Sequence, residues 1–599
     1  MCSEKNQFGR SARNFDWQIP EQDLKECLLL TQKFGISDII AQILVNRGIR
    51  GLDLVGNFLD PKIRNLMPNP FLLQDMKKAA NRIADAFIGK EKIVIYADYD
   101  VDGATSSAVL KRFSRALGID VAVYIPCRFK EGYGPNLSAF KALIEDGYQL
   151  IITVDCGTVA FEPISYAQEH HTDVIVIDHH LAQETLPNAH TVVNPNRLDD
   201  TFPFKDMAAV GVVFFVITAV RNILRERGHF RDNAMAEPDI MQYLDLVALG
   251  TVCDVMPLIG LNRAFVKHGL SLIHQKKNLG LSVLLESAKI DKKPESYHLG
   301  FILGPRINAG GRVGKGSLGS VLLSTDNYEE AYNAALDLEK YNEQRKAIES
   351  LVYEEALAWI KMKSYEANNI ILAMGHNWHL GVLGILASRI KEKYQKPVLV
   401  VSLNDGVGKG SARSIIGVDI GMSLANAKKE GFLLDGGGHA MAGGFSVAED
   451  KIEEFYNFLL LTVQDNSDTK QIYKRAKVLR IDAAVSVNGV SVEFFHNLAS
   501  VEPFGQGNER PRFVIVDAKI VKTWIVANHH IAVIVKDGIA GDFSNNSLKC
   551  MLFRGVGTDY GQCLLKSGGK KVNLVGYLQL NFFDQTKVDF IIEDFAFNE

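Results

Sequence analysis

The period of the apolar positions changes several times along the chain, and each change predicts a change of architecture. Over residues 1–90, DLKECLLLTQKF and FLLQDMKKAANRIADAFI carry apolar residues at helical spacing, so this part reads as helical and partly amphipathic. From 91 onward, short β-branched runs alternate with helical segments. KIVIY (92–96) precedes a helix over about 104–117, and VAVYI (121–125) one over about 136–146. QLIITV (149–154) precedes a helix to about 170, and DVIVI (173–177) follows. Strands that are apolar on both faces and alternate with helices predict an α/β domain with a parallel, doubly wound sheet. A mostly helical stretch covers 207–290. The charged segment 326–363 lacks Gly and Pro and predicts one long connecting helix. Residues 366–465 return to α/β, with NNIILAM and KPVLVVSL as strands. After the polar break QDNSDTKQ (464–471), strand-like runs at short intervals predict a small β-barrel, and an OB-type barrel would suit nucleic acid.

Composition narrows the class without naming a function. The 599 residues are 47% hydrophobic and 23% charged, which fits a globular chain of several domains. The apolar stretch 207–220 runs straight into Arg221 and is short for a membrane span. The first residues show no apolar leader pattern, and the seven cysteines (2, 27, 127, 156, 253, 550, 563) contain no CxxC pair, so a cytoplasmic, reducing compartment is expected. The net charge of −4 gives no global basic footprint, so any nucleic-acid groove has to be a local patch.

The chemistry concentrates in acids that follow strands. Asp98, Asp100 and Asp102 in YADYDVDGAT come directly after KIVIY, and alternate spacing in extended chain would point all three the same way. Asp155 follows the strand ending in ITV, Asp178, His179 and His180 follow DVIVI, and Asp254 follows an apolar helix at a turn. A lone DxD is often only a solvated turn. Several strand ends of one parallel sheet share a rim, however, and that rim is where such sheets bind ligands. Carboxylates converging there would repel one another unless cations sit among them. Oxygen ligands with one or two imidazoles favour Mn²⁺ or Mg²⁺, with the nitrogen tilting the choice to Mn²⁺. Two such ions point to metal-assisted hydrolysis of a phosphoester or phosphoanhydride.

Basic groups complete the pattern. Arg306 and Arg312 in RINAGGR read as flanking a Gly-rich turn, and Ser411 and Arg413 in GKGSARS as lying near a flexible one. Arg128 and Tyr133, in PCRFKEGYG, follow the second strand on the metal-bearing rim. Guanidinium forks beside exposed backbone amides are phosphate binders.

Taken together, DxDxDG, VDCGT, IDHH and GTVCD resemble the DHH phosphoesterase family. RINAGGR, WHLGVLGILASRI, GKGSARS, GGGHAMAGG and PFGQGN are similar to the second-lobe and terminal motifs of its RecJ branch, over roughly residues 50–599. The resemblance implies an N-terminal helical segment (1–50), a DHH catalytic domain (51–290) and a motif loop with the connecting helix (291–365). A DHHA1-type substrate-binding domain (366–465) and an OB-like nucleic-acid-binding domain (470–599) follow. It implies Asp98, Asp100, Asp102, Asp155, His179 and Asp254 as metal ligands, with Asp155 bridging and Asp98 either a ligand or a partner of one. His180 would sit at the scissile phosphate or the attacking water. Arg128, Ser411 and Arg413 would hold a 5′-phosphate, Tyr133 would stack on a base, and Arg306 would contact the strand. Asn308, Arg312, Ser414 and His439 are further substrate-binding positions. The implied activity is 5′→3′ exonucleolytic hydrolysis of single-stranded DNA to mononucleotides, in bacterial repair and recombination. Single-strand-binding protein and a helicase are the implied partners, with a monomeric enzyme and no membrane. The alternatives are a family phosphodiesterase for short RNA or cyclic dinucleotides, and a non-catalytic DNA-binding scaffold.

Overall fold

The computed structural model describes residues 9–132, 134–464, 478–538, 546–581 and 584–597. The chain divides into two compact units, one of Ile63–Thr469 with Gly505–Gly507, the other of Met1–Lys62, Lys470–Phe504 and Asn508–Glu599.

The first unit is built on a five-stranded parallel sheet of β1 (Ile93–Ala97), β2 (Ala122–Tyr124), β3 (Leu150–Val154), β4 (Asp173–Ile177) and β5 (Thr191–Val193), in the order β2-β1-β3-β4-β5. Alternate residues enter two cores. Ile93, Ile95, Ile152 and Ile175 pack into one, while Val94, Tyr96, Ile151 and Val174 pack into the other. Both faces are therefore covered, which explains why the strands read as continuous apolar runs. The larger core takes in α1 (Val101–Ala116), α2 (Ala209–Glu226) and α3 (Leu244–Cys253). The apolar stretch at 207–220 is buried and lies in α2 from Ala209 onward, and among the described residues no helix is long and apolar enough to cross a membrane. The chain reverses its direction of winding between β1 and β3, and the crevice beyond their carboxyl ends is the expected ligand site of such a sheet.

Helix α4 (Gly304–Val313) leads to α5 (Tyr328–Met362), the 35-residue connecting helix. The second lobe has β6 (Ile371–His376), α6 (Leu380–Tyr394), β7 (Val398–Asn404), β8 (Val407–Arg413), β9 (Asp435–His439) and β10 (Ala442–Ala448). Its sheet order is β9-β10-β8-β7-β6, with only β6 and β7 parallel.

Two expected turns are regular structure instead. RINAGGR is helical within α4. Its glycines serve close approach, because a Cβ at Gly311 would lie 2.9 Å from the Tyr99 carbonyl oxygen and one at Gly310 2.6 Å from that of Lys315. GKGSAR is the strand β8, where Gly410 leaves room for the Phe445 ring.

In the other unit, strands Phe513–Val526, His530–Lys536, Leu548–Leu552, Val588–Phe597 and Lys571–Leu580 pair in a cycle that closes a five-stranded barrel, as expected. The N-terminal residues are not wholly helical. Arg10–Ser11 pairs with Phe597–Ala596 at the barrel edge, and Asp16–Gln18 pairs with Val478–Arg480. Pairings of two or three residues leave no alternation long enough to read in a sequence.

Candidate metal centre

The aspartates at 98, 100 and 102 do not share a face by strand alternation, because β1 ends at Ala97 and a helix starts at Val101. A turn into α1 brings them together instead. Asp98 is buried, and its amide reaches the Val154 carbonyl oxygen at 3.4 Å. Asp100 is the N-cap of α1, and its Oδ1 accepts from the amides of Asp102 (2.8 Å) and Gly103 (3.2 Å). Asp102, in the first helical turn and fully buried, is clasped at the start of α2 by the amides of Ala209 (2.6 Å) and Val210 (2.9 Å). A carboxylate there is stabilised by the positive end of the helix.

The other acids come from neighbouring element ends. Asp155 follows β3 with φ of 59°, its amide bonded to the Ile177 carbonyl oxygen, and this left-handed turn redirects the chain at the crevice. Asp254 caps the C-terminus of α3. His179 Nε2 lies 3.3 Å from Asp155 Oδ1, 3.6 Å from Asp254 Oδ2 and 3.8 Å from Asp102 Oδ2. Ligand atoms within 4.8 Å of one another fall into three overlapping sets: Asp98–Asp100–Asp155, Asp102–His179–Asp254 and Asp155–His179–His180. Asp155 is common to the first and third, and His179 to the second and third.

These atoms fit divalent cations. Asp98 Oδ1, His179 Nε2 and Asp254 Oδ2 are buried without a hydrogen-bond partner in the protein, a costly state unless an ion satisfies them. Burial, then the charge of Asp100, raises Asp102 to about 7. Burial, then Asp102 and Asp100, raises Asp254 to about 9. Asp98 and Asp155 are pushed well up by burial and by their acidic neighbours. His179 is lowered to about 4 by burial and by the charge of His180, so its ring is neutral and free to ligate. Burial also disfavours the charged form of His180, but a 2.7 Å contact of its Nδ1 with Asp178 Oδ1 overrides this and raises it to about 9. The set of carboxylates and imidazole is the chemistry of Mn²⁺ or Mg²⁺.

Several residues supporting this centre had no assigned role in the sequence. Asp178 Oδ1 accepts from the amides of His179 and His180, and its Oδ2 from the Thr158 amide, so one buried carboxylate orients both histidines. Asn196 Nδ2 and Asn194 Nδ2 donate to the carbonyl oxygens of His179 and His180. The aspartate ahead of the two histidines and the NPN run after β5 were the available signals.

A cationic group lies close by. Arg128 stacks its guanidinium 5.3 Å from the centre of the Tyr99 ring, in the metal-bearing turn. Arg312 Nη1 donates to the Gly381 carbonyl oxygen, and burial, then Arg128 and Arg345, lower it to about 10. Arg413 reaches Ser411 Oγ and the Ala412 carbonyl oxygen, and it too is lowered by burial and by Arg128. Among the described residues none of the three is in an ion pair. Gly384 of α6 lies against this pair, since a Cβ there would be 2.9 Å from Arg413 Nη2 and 3.4 Å from Ser411 Oγ.

The remaining expected residues are placed differently. Arg306 pairs with Glu339 and donates to the Ile302 carbonyl oxygen. Asn308 Oδ1 accepts from the Val101 amide at 3.1 Å and so caps α1. Ser414, fully buried, donates to the Val418 carbonyl oxygen. His439 ends β9 and is exposed, and Tyr133 lies outside the described residues.

Comparison with known proteins gives the same picture. Three family models match: the DHH family N-terminal domain over 92–251, the DHHA1 domain over 367–465 and the RecJ OB domain over 481–594. The chain is 31% identical over 597 residues to the single-stranded-DNA-specific exonuclease RecJ of Bacillus subtilis, covering 98% of this chain and 72% of that one. The crystal structure of RecJ in complex with Mn²⁺ from Thermus thermophilus superposes with a TM-score of 0.79 at 26% identity, over 97% of this chain and 80% of that one. The Mg²⁺ complex of the same protein superposes with a TM-score of 0.73 at 26% identity, over 97% and 78%.

Proposed function

Because the chain belongs to the RecJ family, we propose that it is an exonuclease that degrades single-stranded DNA from a 5′-phosphorylated end and releases 5′-mononucleotides. The observation that carries this reading is the position of Arg128. It stacks on Tyr99 between the first two metal-site aspartates, and Phe129 next to it meets His379, the N-cap of α6 in the second lobe. A cluster of arginines suited to a phosphate therefore lies next to the acidic crevice, within one compact unit.

Asp98, Asp100, Asp102, Asp155, His179 and Asp254 would hold two ions, Mn²⁺ or Mg²⁺. When bound, these activate water and neutralise charge on the phosphoryl group under in-line attack. The protein's own residues do the rest. Arg128, Ser411 and Arg413 grip the terminal phosphate, and Arg312 adds a buried positive charge beside them. His180, oriented by Asp178, faces the scissile phosphate and donates a hydrogen bond to its oxygen. Tyr133 stacks on a base without sequence preference, Arg306 and His439 contact the strand, Asn308 and Ser414 act from behind by holding the backbone at α1 and after β8, and the barrel holds the incoming strand. With its 5′ end fixed, the strand is cut at a set distance, which yields one nucleotide at a time. A monomeric bacterial cytoplasmic enzyme of repair and recombination, fed by a helicase and working beside single-strand-binding protein, fits this activity.

The test uses 3′-labelled oligonucleotides with Mn²⁺, comparing wild type with Asp155→Ala. The substrates are a single strand with a 5′-phosphate, the same strand blocked at its 5′ end, and a blunt duplex. Mononucleotide release only from the free single strand, abolished by the substitution, is the expected result. Binding without cleavage under every metal would instead identify a scaffold, and digestion of only the shortest RNA would move the chain to another branch.

A further inference from the structure

Beside the arginine cluster lies a cavity of about 200 Å³ for which the reading above has no use. It is lined by Pro126 and Phe129, which are apolar, and by the turn Gly314–Ser317 that follows α4. Two cationic side chains line it, Arg128 and Lys315, and among the described residues neither is in an ion pair. Ser317 precedes the helix Leu318–Ser324, but its hydroxyl makes no capping bond. At Gly316 a Cβ would lie 3.0 Å from Tyr99 and 3.4 Å from Ile125, so the turn presses bare backbone against the metal-bearing loop.

The cavity and the proposed 5′-phosphate pocket share one residue. Arg128 belongs to both. Phe129 meets His379 edge to face at 5.3 Å, and His379 caps α6, whose Gly384 lies against Arg413 and Ser411. At about 30 Å³ per water, the space equals roughly six waters, enough for a tetrahedral anion with part of its hydration. A cavity lined by two cations that make no ion pair among the described residues, by a hydroxyl that caps no helix and by no carboxylate is suited to an anion.

We propose that this cavity receives a second phosphoryl group carried on the terminal 5′-phosphate. The enzyme then accepts strands with 5′-di- or triphosphate ends, and Lys315 is the residue that recognises them. This rests on the terminal-phosphate reading above. The chemistry of cleavage is unchanged. The water oxygen bonds to the first internucleotide phosphorus, the bond from that phosphorus to O3′ breaks, and a proton goes to O3′. A triphosphate end is released as a nucleoside 5′-triphosphate, no phosphoanhydride bond is broken, and the shortened strand keeps a 5′-monophosphate.

The test compares one DNA sequence bearing a 5′-hydroxyl, a 5′-monophosphate or a 5′-triphosphate. Wild type, Lys315→Ala and Lys315→Glu are assayed at fixed free Mn²⁺, with the first product identified by anion exchange. Wild type is expected to prefer both phosphorylated ends to the hydroxyl end and to release a nucleoside triphosphate from the triphosphate strand. Lys315→Ala should leave kcat/KM for the monophosphate end within about twofold. It should lower that for the triphosphate end roughly 10- to 100-fold, the loss of one hydrogen bond to a charged group, and Lys315→Glu should lower it further.

If the wild type fails to cut triphosphate ends, or the Lys315 variants slow all ends alike, the proposal is overturned while the terminal-phosphate reading stands. Equal rates on hydroxyl and monophosphate ends in the wild type would refute that reading and this proposal with it. Inorganic pyrophosphate serves as a further arm. Inhibition that depends on Lys315, without cleavage of triphosphate ends, would make the cavity a site for free anions and overturn the proposal.

Discussion

Gly103→Ala sets helix propensity against the geometry of the site. Gly103 lies in the first turn of α1, where alanine on propensity alone would stabilise the protein by about 1 kcal/mol. The structure predicts the opposite sign. A Cβ at this position would lie 2.2 Å from the Asp98 carbonyl oxygen, 2.7 Å from its carbonyl carbon and 2.8 Å from its nitrogen. All three are backbone atoms, so no rotamer change relieves the contact. Asp98 has to retreat by about 0.8 Å to reach even 3.0 Å from the new methyl. Overpacking of this kind costs about 1–3 kcal/mol, so the variant should be roughly 0–2 kcal/mol less stable than wild type. A shift of nearly 1 Å between Asp98 and Asp155 should also lower kcat on the order of 100-fold. Urea unfolding in EDTA, Mn²⁺ titration calorimetry and kcat on a 5′-phosphorylated oligonucleotide at saturating Mn²⁺ measure the three consequences. A variant more stable than wild type, with unchanged Mn²⁺ affinity and kcat, would refute the idea that Gly103 holds the first aspartate against α1.

Asp155→Asn keeps a left-handed backbone that asparagine tolerates and removes a carboxyl that burial and its acidic neighbours force to stay protonated, so the metal-free Tm at neutral pH should rise. The Mn²⁺-induced rise in Tm should disappear, and activity should fall on the order of 1000-fold, matching the several kcal/mol that such ions supply at the transition state. Differential scanning fluorimetry with and without Mn²⁺ checks the first two. Asn308→Ala removes the acceptor for the Val101 amide; about 1 kcal/mol of stability and part of the Mn²⁺ affinity should go with it, measured by unfolding and calorimetry. The pH dependence follows from Asp102 at about 7 and Asp254 at about 9. Between the unfolded carboxylate value near 4 and these values, the folded metal-free protein holds protons that the unfolded chain has released. Its Tm should therefore fall as pH rises from 5 to 9, and His180 at about 9 adds a loss of the same sign above pH 6.5. Because Mn²⁺ replaces those protons, the Tm increment it gives should grow over the same range. An increment independent of pH would contradict the raised values.

Much of the centre was legible because its residues end regular elements. β1, β3 and β4 are apolar on both faces, so the acids at 98, 155 and 178 stand out at the points where burial stops. The long helix was equally plain, since its sequence lacks glycine and proline, and it spans Tyr328–Met362. The glycine-containing segments misled for a definite reason. Glycine permits both a turn and a close approach, and a sequence does not say which. At Gly311 of α4 and Gly410 of β8 the crowding neighbour, Tyr99 or Phe445, comes from another part of the chain. The role of Asn308 was hidden in the same way, because its partner Val101 is 207 residues away. Asp178 was visible as a strand-end acid, but its task of orienting two histidines depends on backbone amides that carry no sequence signal.

The placement of charge explains how this unit can hold a strand and cut it at one place. The acids and histidines belong to the sheet domain, while Ser411 and Arg413 belong to the second lobe. Any fixed distance between the terminal phosphate and the cut depends on how firmly those parts are joined. Helix α5 supplies that stiffness. Near its middle Glu349, largely buried, binds both Arg345 of the same helix and Arg389 of α6, each at 2.8 Å. Arg389 also lies 4.0 Å from the centre of the Tyr353 ring. At the other end of this chain of contacts, Arg312 of α4 donates to the Gly381 carbonyl oxygen in α6. Removing Glu349 alone should destabilise the junction, because the largely buried Arg345 loses its carboxylate and Arg389, partly exposed, loses its link to α5. If the strand is held as proposed, the lobe junction acts as a ruler, joined by helix α5 and tied to α6 through Glu349. Stepwise release of single nucleotides needs both, since a junction free to rock would let the same grip on the 5′ end place different phosphodiesters at the crevice.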